Sequence, residues 1–288
     1  MPELPEVEVV KKSLEGRIKN LIIKKVIIND KKLRYELKIN EFNKLIGKKV
    51  LGVKRRSKFL LFFFENETVM MVHFGMTGKF LIQDKYDKMS RTSFYYNVTD
   101  NNEKHDKVVL IFNKNLKLIY NDVRKFGFIK IFAVDEIHKN KHLKLLGPEP
   151  LTNKFNYIYF KKYIVSRNRN IKNLLMDQRF LSGLGNIYVN ETLYHCKISP
   201  IKNIRYLKKE EIKRLIYHIK RILKKAIILG GSSIKNFSDS KGNEGNFQQE
   251  FKVYGKFGNK CNNYNCKGII KKIVQSNRAS FYCPKCQK

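Results

Sequence analysis

What most constrains the fold of this 288-residue chain is a change of apolar periodicity at Gly147-Pro148-Glu149-Pro150. Ahead of it, from Leu21 to about Val134, apolar residues come in short β-rich runs: Ile22 to Ile28, Val50 to Val53, Phe59 to Phe64, Thr68 to Phe74, Val108 to Phe112 and Leu116 to Tyr120. Many short strands at regular spacing make a sandwich or a barrel. The last two runs are separated only by Asn113, Lys114 and Asn115, a hairpin spacing. Behind the break the pattern is helical, most clearly from about Leu207 to Leu229. There Ile212, Leu215, Ile216, Ile219, Leu223 and Ala226 line one face and Gly230-Gly231 supplies a stop. One further helix opens the chain, because Leu4, Val7, Val10 and Leu14 recur at helical spacing and Pro2 and Pro5 are tolerated only in or before a first turn. Residues 238 to 248 have little to bury and read as a mobile loop.

Composition narrows the partner. With 60 Lys+Arg against 25 Asp+Glu the formal net charge is +35, and 42% hydrophobic content is enough for a real core. Such an excess points to a polyanion, since each phosphate neutralised releases condensed counterions. The chain is also rich in Asn and Ile, as AT-rich codon drift produces, so part of the Lys excess is compositional and basic residues must be judged position by position. No apolar run exceeds Phe59 to Phe64, far short of the roughly 20 residues of a bilayer span. Glu3, Glu6 and Glu8 stand where a secretory signal needs positive charge, so a cytoplasmic protein with no membrane partner is expected.

Four of the five cysteines fall in the last 30 residues, as Cys261, Cys266, Cys283 and Cys286. Two pairs with a β-rich stretch between them, Ile269 to Val274 and Ala279 to Tyr282, suit a zinc ribbon: four thiolates close a tetrahedral site around one structural Zn2+ and leave no position open for catalysis. Cys196, following His195, reads as core.

Pro2 follows an initiator Met of the kind trimmed before small residues, which would leave a secondary amine at the chain start. An α-amine titrates near about 8 where Lys sits near about 10.4, so it is available at neutral pH to attack a sugar anomeric carbon. Alone, Met1-Pro2 is a common way to begin a helix.

The neighbours are more specific. Met1-Pro2-Glu3-Leu4-Pro5-Glu6-Val7 resembles the opening of formamidopyrimidine-DNA glycosylases, bacterial enzymes that excise oxidised purines. Further matches follow in the family's order: Arg55-Arg56-Ser57-Lys58-Phe59-Leu60 resembles the strand bearing its second essential amine, and His73-Phe74-Gly75-Met76-Thr77-Gly78 its wedge loop. Asp122-Val123-Arg124-Lys125-Phe126-Gly127 resembles its second wedge loop. Leu175-Met176-Asp177-Gln178 and Gly183-Leu184-Gly185-Asn186-Ile187-Tyr188 resemble its helix-two-turn-helix, and the ribbon completes the order across nearly the whole chain.

The resemblance implies a multidomain α+β fold: an N-terminal helix with an antiparallel β-sandwich over 1–134, a linker over 135–152, and a helical helix-two-turn-helix domain over 153–237. A mobile lesion loop over 238–250 and a β-hairpin zinc ribbon over 251–288 complete it. It implies a bifunctional glycosylase and abasic-site lyase acting as a monomer on double-stranded DNA with oxidised bases or abasic sites. Pro2 is then the nucleophile, Glu3 the proton donor, Lys58 the β-elimination amine and Arg278 the δ-elimination residue that grips the lesion phosphates. Glu6 and Glu191 support the site. Met76, Arg124 and Phe126 fill the space left by a flipped base; from the residues alone the favoured reading is core Met and Phe with a surface Arg, which the family's motif order reverses. Asn186, at a helix start after a Gly-rich turn, receives a phosphate or serves as a plain N-cap. Arg167 and Lys172, on one helical segment before it, His105, and Lys235 in the stretch closing over the flipped base are expected to touch DNA.

The first cysteine pair departs from the family, with four intervening residues where two are usual, which puts the shape of that knuckle in question. The rival readings are the sister glycosylase group for oxidised pyrimidines, disfavoured by Leu4, Met76 and Phe126, and a noncatalytic zinc-ribbon DNA-binding protein, disfavoured by the presence of Pro2, Glu3 and Lys58 together.

Overall fold

The computed structural model describes residues 1–84, 86, 88–92, 102–232 and 247–288. It divides into two compact units. One holds Met1–Lys144 with the stretch from Leu229, and the other Leu145–Ile228 with Phe247–Lys288, so the helical segment and the ribbon share a unit.

The first unit opens with α1 (Leu4–Ile18), which carries the expected apolar stripe one turn beyond Leu14, to Ile18. Leu4, Val7, Val10, Leu14 and Ile18 are all fully buried and form the stripe that attaches it to the sheets. After β1 (Ile23–Ile28) and the short α2 (Ile39–Asn43) come β2 (Val50–Arg56), β3 (Phe59–Phe64), β4 (Thr68–His73), β5 (Lys79–Gln83) and β6 (Met89–Arg91). Then follow β7 (Asp106–Phe112), β8 (Lys117–Asn121) and β9 (Phe128–Ala133). They form two antiparallel sheets, ordered β1-β7-β8-β5-β6 and β2-β3-β4-β9. One core runs between them: Phe62 of β3 meets Phe80 of β5 edge to face at 5.6 Å, and Val50, Leu60, Val72, Leu110, Phe112 and Leu118 fill the rest. This is a sandwich. The hairpin at 113–115 forms through a 3-10 turn with Lys114 and Asn115 at positive φ. Strands β5, β6 and β9 are not legible as separate runs, because β5 and β9 lie beside the Gly-containing loops that interrupt alternation.

The second unit carries α3 (Tyr157–Ile164), α4 (Ile171–Met176), α5 (Asn186–His195) and α6 (Lys209–Ile228). Helix α6 starts two residues later than expected, since Ile204–Tyr206 form a 3-10 turn and Glu211 accepts the Lys208 amide at 2.9 Å. Ile222 joins its buried face while Ile216 is only half-buried. Gly230 and Gly231, both at positive φ, end it. Cys196 caps α5 and is fully buried, with burial pushing its thiol up, in keeping with a core residue. The ribbon is the hairpin β10 (Lys271–Gln275) and β11 (Arg278–Tyr282), turned by Ser276 and Asn277, both at positive φ. No helix among the described residues is long and apolar enough to cross a membrane.

Candidate active site and metal centre

Three segments of the first unit meet around the start of α1. Glu3 and Pro2 are buried, and the Glu3 amide donates to Glu6 Oε2 at 2.9 Å, one turn along the helix. The other Glu6 oxygen accepts from the Ser232 amide at 2.8 Å and its hydroxyl at 3.0 Å, so the chain leaving Gly231 is fastened to the start of α1. Gly231 allows that approach: a Cβ there would lie 3.1 Å from Glu6 Oε1 at a φ of +83°. Ser232 opens the stretch that the sequence suggests closes over a flipped base; its bond to Glu6, 226 residues away, is not legible there.

Lys58 sits not on a strand but in the two-residue turn between β2 and β3, where Arg56 pairs with Phe59 and Ser57 has a positive φ. It is 7% exposed. Arg55 holds this turn from both sides, donating Nε to Glu8 Oε2 at 2.7 Å and a guanidinium N–H to the Ser57 carbonyl at 2.8 Å. The Glu8–Arg55 pair therefore ties α1, with Pro2 and Glu3 at its head, to the turn carrying Lys58. In the sequence Glu8 figures only among the acids that argue against a secretory signal.

A cleft of about 620 Å³ is lined by Met1, Arg34, His73, Met76, Arg124 and Phe126. Met76 and Phe126 are 42% and 48% exposed and share this cleft, and the Arg124 guanidinium lies 4.7 Å from the Phe126 ring centroid. Their two loops are locked by Asp122, which is fully buried: Oδ1 accepts from the Thr77 hydroxyl at 2.5 Å and Oδ2 from the Gly127 amide at 2.8 Å. Thr77 Oγ1 in turn accepts the Arg124 amide at 3.0 Å. Gly127 is obligatory, since a Cβ would fall 1.8 Å from the Tyr120 hydroxyl, and Gly75 likewise meets the Phe126 backbone at 2.4 Å. Lys125 anchors the second loop on Asp30 at 2.8 Å, and with Lys107 it holds the Asp30 carboxyl well below the usual range. Burial, then the charge of Lys58, push His73 down to about 4; its neutral Nδ1 accepts the Gly75 amide at 3.1 Å and its ring stacks on Phe128 at 5.4 Å. His105, half-buried, accepts the Asp122 amide on its carbonyl at 3.0 Å and so stands at the root of the second loop.

In the second unit the expected DNA contacts divide. Arg167 and Lys172 do not share a helix: α3 ends at Ile164, Ser166 takes a positive φ, and Lys172 belongs to α4. Arg167 is exposed and packs over the Tyr163 ring at 4.0 Å. Lys172, expected at a phosphate, is 1% exposed, and its ammonium donates to the Ala279 carbonyl at 2.8 Å and Ser280 Oγ at 2.6 Å. Burial, then the nearby Arg278 charge, push it down to about 8. It holds β11 next to Arg278 and is not a surface contact. Asn186 is the first residue of α5, with Gly185 as N-cap, and its amide donates to the same Ala279 carbonyl at 3.0 Å. Asn190 accepts the Phe281 amide at 2.7 Å, so three side chains set the register of the strand that starts at the exposed Arg278. Glu191 is buried and caps three consecutive amides, Lys252, Val253 and Tyr254, at 2.8, 3.0 and 2.8 Å; burial pushes its carboxyl up against their pull. Lys235, and residues 238–246 of the expected loop, lie outside the described residues; 247–250 form a 3-10 turn.

The four cysteine sulfurs all lie within 4.8 Å of one another. Cys261 faces Cys286 and Cys266 faces Cys283, each at 3.7 Å. A tetrahedral zinc with bonds of about 2.3 Å requires sulfurs about 3.8 Å apart, so the cluster has the right size. Burial pushes Cys283 up and Cys286 up to about 12, while hydrogen bonds from the Cys286 thiol and the Gly268 amide bring Cys266 down to about 7. The long first knuckle closes through a turn in which the Cys266 amide donates to the Asn263 carbonyl at 3.0 Å and Asn265 takes a positive φ. Tyr194 OH lies 3.4 Å from Cys261 Sγ and the Gly268 amide donates to Cys266 Sγ at 3.4 Å, the outer support such sites need.

Family models match along the chain in this order: the formamidopyrimidine-DNA glycosylase N-terminal domain over residues 1–129, its H2TH domain over 146–238, and the zinc finger found in FPG and IleRS over 258–288. The formamidopyrimidine-DNA glycosylase of Rickettsia bellii is 40% identical over 288 residues, covering 100% of both chains. The chain belongs to the formamidopyrimidine-DNA glycosylase family. Its counterpart from Roseobacter denitrificans is 38% identical with the same coverage. Among solved structures, a Lactococcus lactis Fpg mutant in complex with Fapy-dG containing DNA matches at a TM-score of 0.85 and 35% identity, covering 100% of both chains. The Lactococcus lactis Fpg complex with abasic-site DNA matches equally well over 99% of both. With the zinc-finger match, the four thiols constitute a site for one structural zinc.

Proposed function

We propose that this chain is a bifunctional glycosylase and abasic-site lyase that removes oxidised purines, 8-oxoguanine and formamidopyrimidines, from double-stranded DNA. The observation that carries this reading is the cleft with Met1 in its wall and Met76, Arg124 and Phe126 around it. Removal of Met1 leaves the secondary amine of Pro2 facing that cleft. Its lone pair attacks C1′ of the extruded nucleotide, the C1′–N bond breaks, and the base leaves with the bonding pair and takes up a proton. Glu3, held at the head of α1, protonates the ring oxygen as the sugar opens to an iminium. Loss of a C2′ proton, with Lys58 acting at that stage, expels the 3′ phosphate. Loss of a C4′ proton expels the 5′ phosphate, with Arg278 gripping the phosphates.

Met76 and Phe126 occupy the vacated stack while Arg124 hydrogen-bonds the orphaned base. Asn186, His105, Arg167 and Lys235 take phosphates, Glu6 and Glu191 keep their backbone nests in place, and Lys172 positions the strand bearing Arg278. The division of labour follows the sequence, with catalysis in 1–134, a linker at 135–152, and DNA grip in 153–237 and 251–288. Zinc, bound by the four cysteines, supplies ribbon structure alone. The enzyme acts as a cytoplasmic monomer.

Borohydride trapping on a duplex holding 8-oxoguanine opposite cytosine, with a thymine-glycol duplex in parallel, tests this. A covalent adduct favouring the oxidised purine is expected, and Pro2→Gly, with a primary amine in place of the secondary one, gives less. Preference for thymine glycol moves the chain to the pyrimidine-specific group. Absence of adduct on both, with zinc and DNA binding intact, overturns the enzyme reading.

A further inference from the structure

The lengthened first knuckle has no part in the chemistry above, yet its surface is specific. Tyr264, at its tip, is 94% exposed, the most exposed of the large apolar and aromatic side chains among the described residues. It lines an open hollow of about 460 Å³ together with Asn263, Asn265 and three lysines, Lys197, Lys267 and Lys285. The fold does not need the Tyr264 ring: the knuckle is closed by backbone, with Asn263 accepting the Cys266 amide at 3.0 Å and Asn265 at positive φ, and the sulfurs sit below it. No acid moderates the charge, because residues 251–288 contain eight Lys and Arg278 but no Asp or Glu.

We propose that this knuckle binds single-stranded nucleic acid by stacking an unpaired base on Tyr264. A free aromatic face, the exposed amide side chain of Asn265 able to pair with a base edge, and three ammonium groups for the flanking phosphates are the elements of a single-strand contact. A duplex keeps its base faces covered and presents only phosphate. A peptide partner of acidic character would satisfy the lysines but leave the ring in water. The site shares no residue with the lesion cleft, so it stands or falls independently of the lyase chemistry.

The chain contains no Trp, so Tyr264→Trp in the zinc-loaded full-length protein is a single-site reporter of stacking. Titration with dT12 quenches its fluorescence, and dT12 affinity drops roughly fivefold to a hundredfold in Tyr264→Ala, the range for loss of one stacked base. Zinc stoichiometry stays at one in both variants and trapping on the lesion duplex is unchanged. A rU12 arm identifies the strand: tighter binding than dT12 names RNA as the natural ligand, weaker binding names DNA, and both satisfy the stacking site. Quenching by a blunt undamaged duplex as strong as by dT12, or equal dT12 affinity of wild type and Tyr264→Ala, overturns the proposal.

Discussion

Replacing Asp122 tests how the two loops of the cleft are held. The carboxylate is fully buried and accepts from Thr77 Oγ1 at 2.5 Å and from the Gly127 amide at 2.8 Å. In Asp122→Asn the amide oxygen can still accept from Gly127, while the new NH2 donates to Thr77 Oγ1. That hydroxyl already accepts the Arg124 amide at 3.0 Å, so it takes a second donor and its own proton goes unused. The cost is one charge-assisted hydrogen bond weakened, about 1 to 2 kcal/mol. In Asp122→Ala both donors are stranded and a small void is left. At about 1 to 3 kcal/mol per unsatisfied buried group the two together cost roughly 2 to 6 kcal/mol. Thermal unfolding measures the difference, and cleavage separates its consequence. If the proposed function holds, Asp122→Ala loses cleavage on lesion duplexes, where Arg124 and Phe126 are the proposed wedge, far more than cleavage at an abasic site in a single strand, where no stack has to be filled. Equal stability of the Asn and Ala variants would refute the two-donor account, and equal loss on both substrates would refute its link to the wedge.

Gly268→Ala should impair the metal centre, because its Cβ would lie 2.5 Å from Cys283 Sγ and 3.2 Å from Cys266 Sγ, and sulfurs bound to zinc cannot retreat. A chromogenic chelator should strip zinc from the variant about 10 to 100 times more readily, and unchanged retention would contradict the packing. Titration offers two further signatures. Lys172 is held down to about 8 in the folded chain, so the unfolded chain binds its proton more tightly; stability should climb between pH 8 and 10.5 by up to roughly 3 kcal/mol, a slope absent in Lys172→Met. His73, at about 4, should cost the folded state up to roughly 3 kcal/mol as pH falls from 6.5 to 4, and His73→Asn should flatten that limb of a pH series of urea unfolding curves.

Local pattern carried much of this protein. Stripes at 3.6-residue spacing marked α1 and α6, runs of β-branched and aromatic residues marked six of the strands, and cysteine spacing marked the ribbon, because each depends on residues close in the chain. Linear motifs likewise grouped Pro2 with Glu3, and Arg124 with Phe126. The same locality explains the errors: Lys172 looked like a phosphate ligand because its charge is local information and its burial against Ala279 and Ser280, more than 100 residues on, is not.

The sequence by itself determined the order of elements, the metal-binding residue types and the proline next to the chain start that the proposed function uses as nucleophile. Tertiary structure alone decided that Glu6 receives Ser232, that Glu8 steadies the turn of Lys58 through Arg55, that Asp122 joins two loops, and that Cys261 faces Cys286 and not its nearer neighbour. Three of these are buried or half-buried polar side chains that find hydrogen-bond partners far along the chain, and the fourth pairs thiols across the metal site. Which partner comes within 3 Å is set by how sheets and helices pack, and that information exists only once the chain has closed on itself.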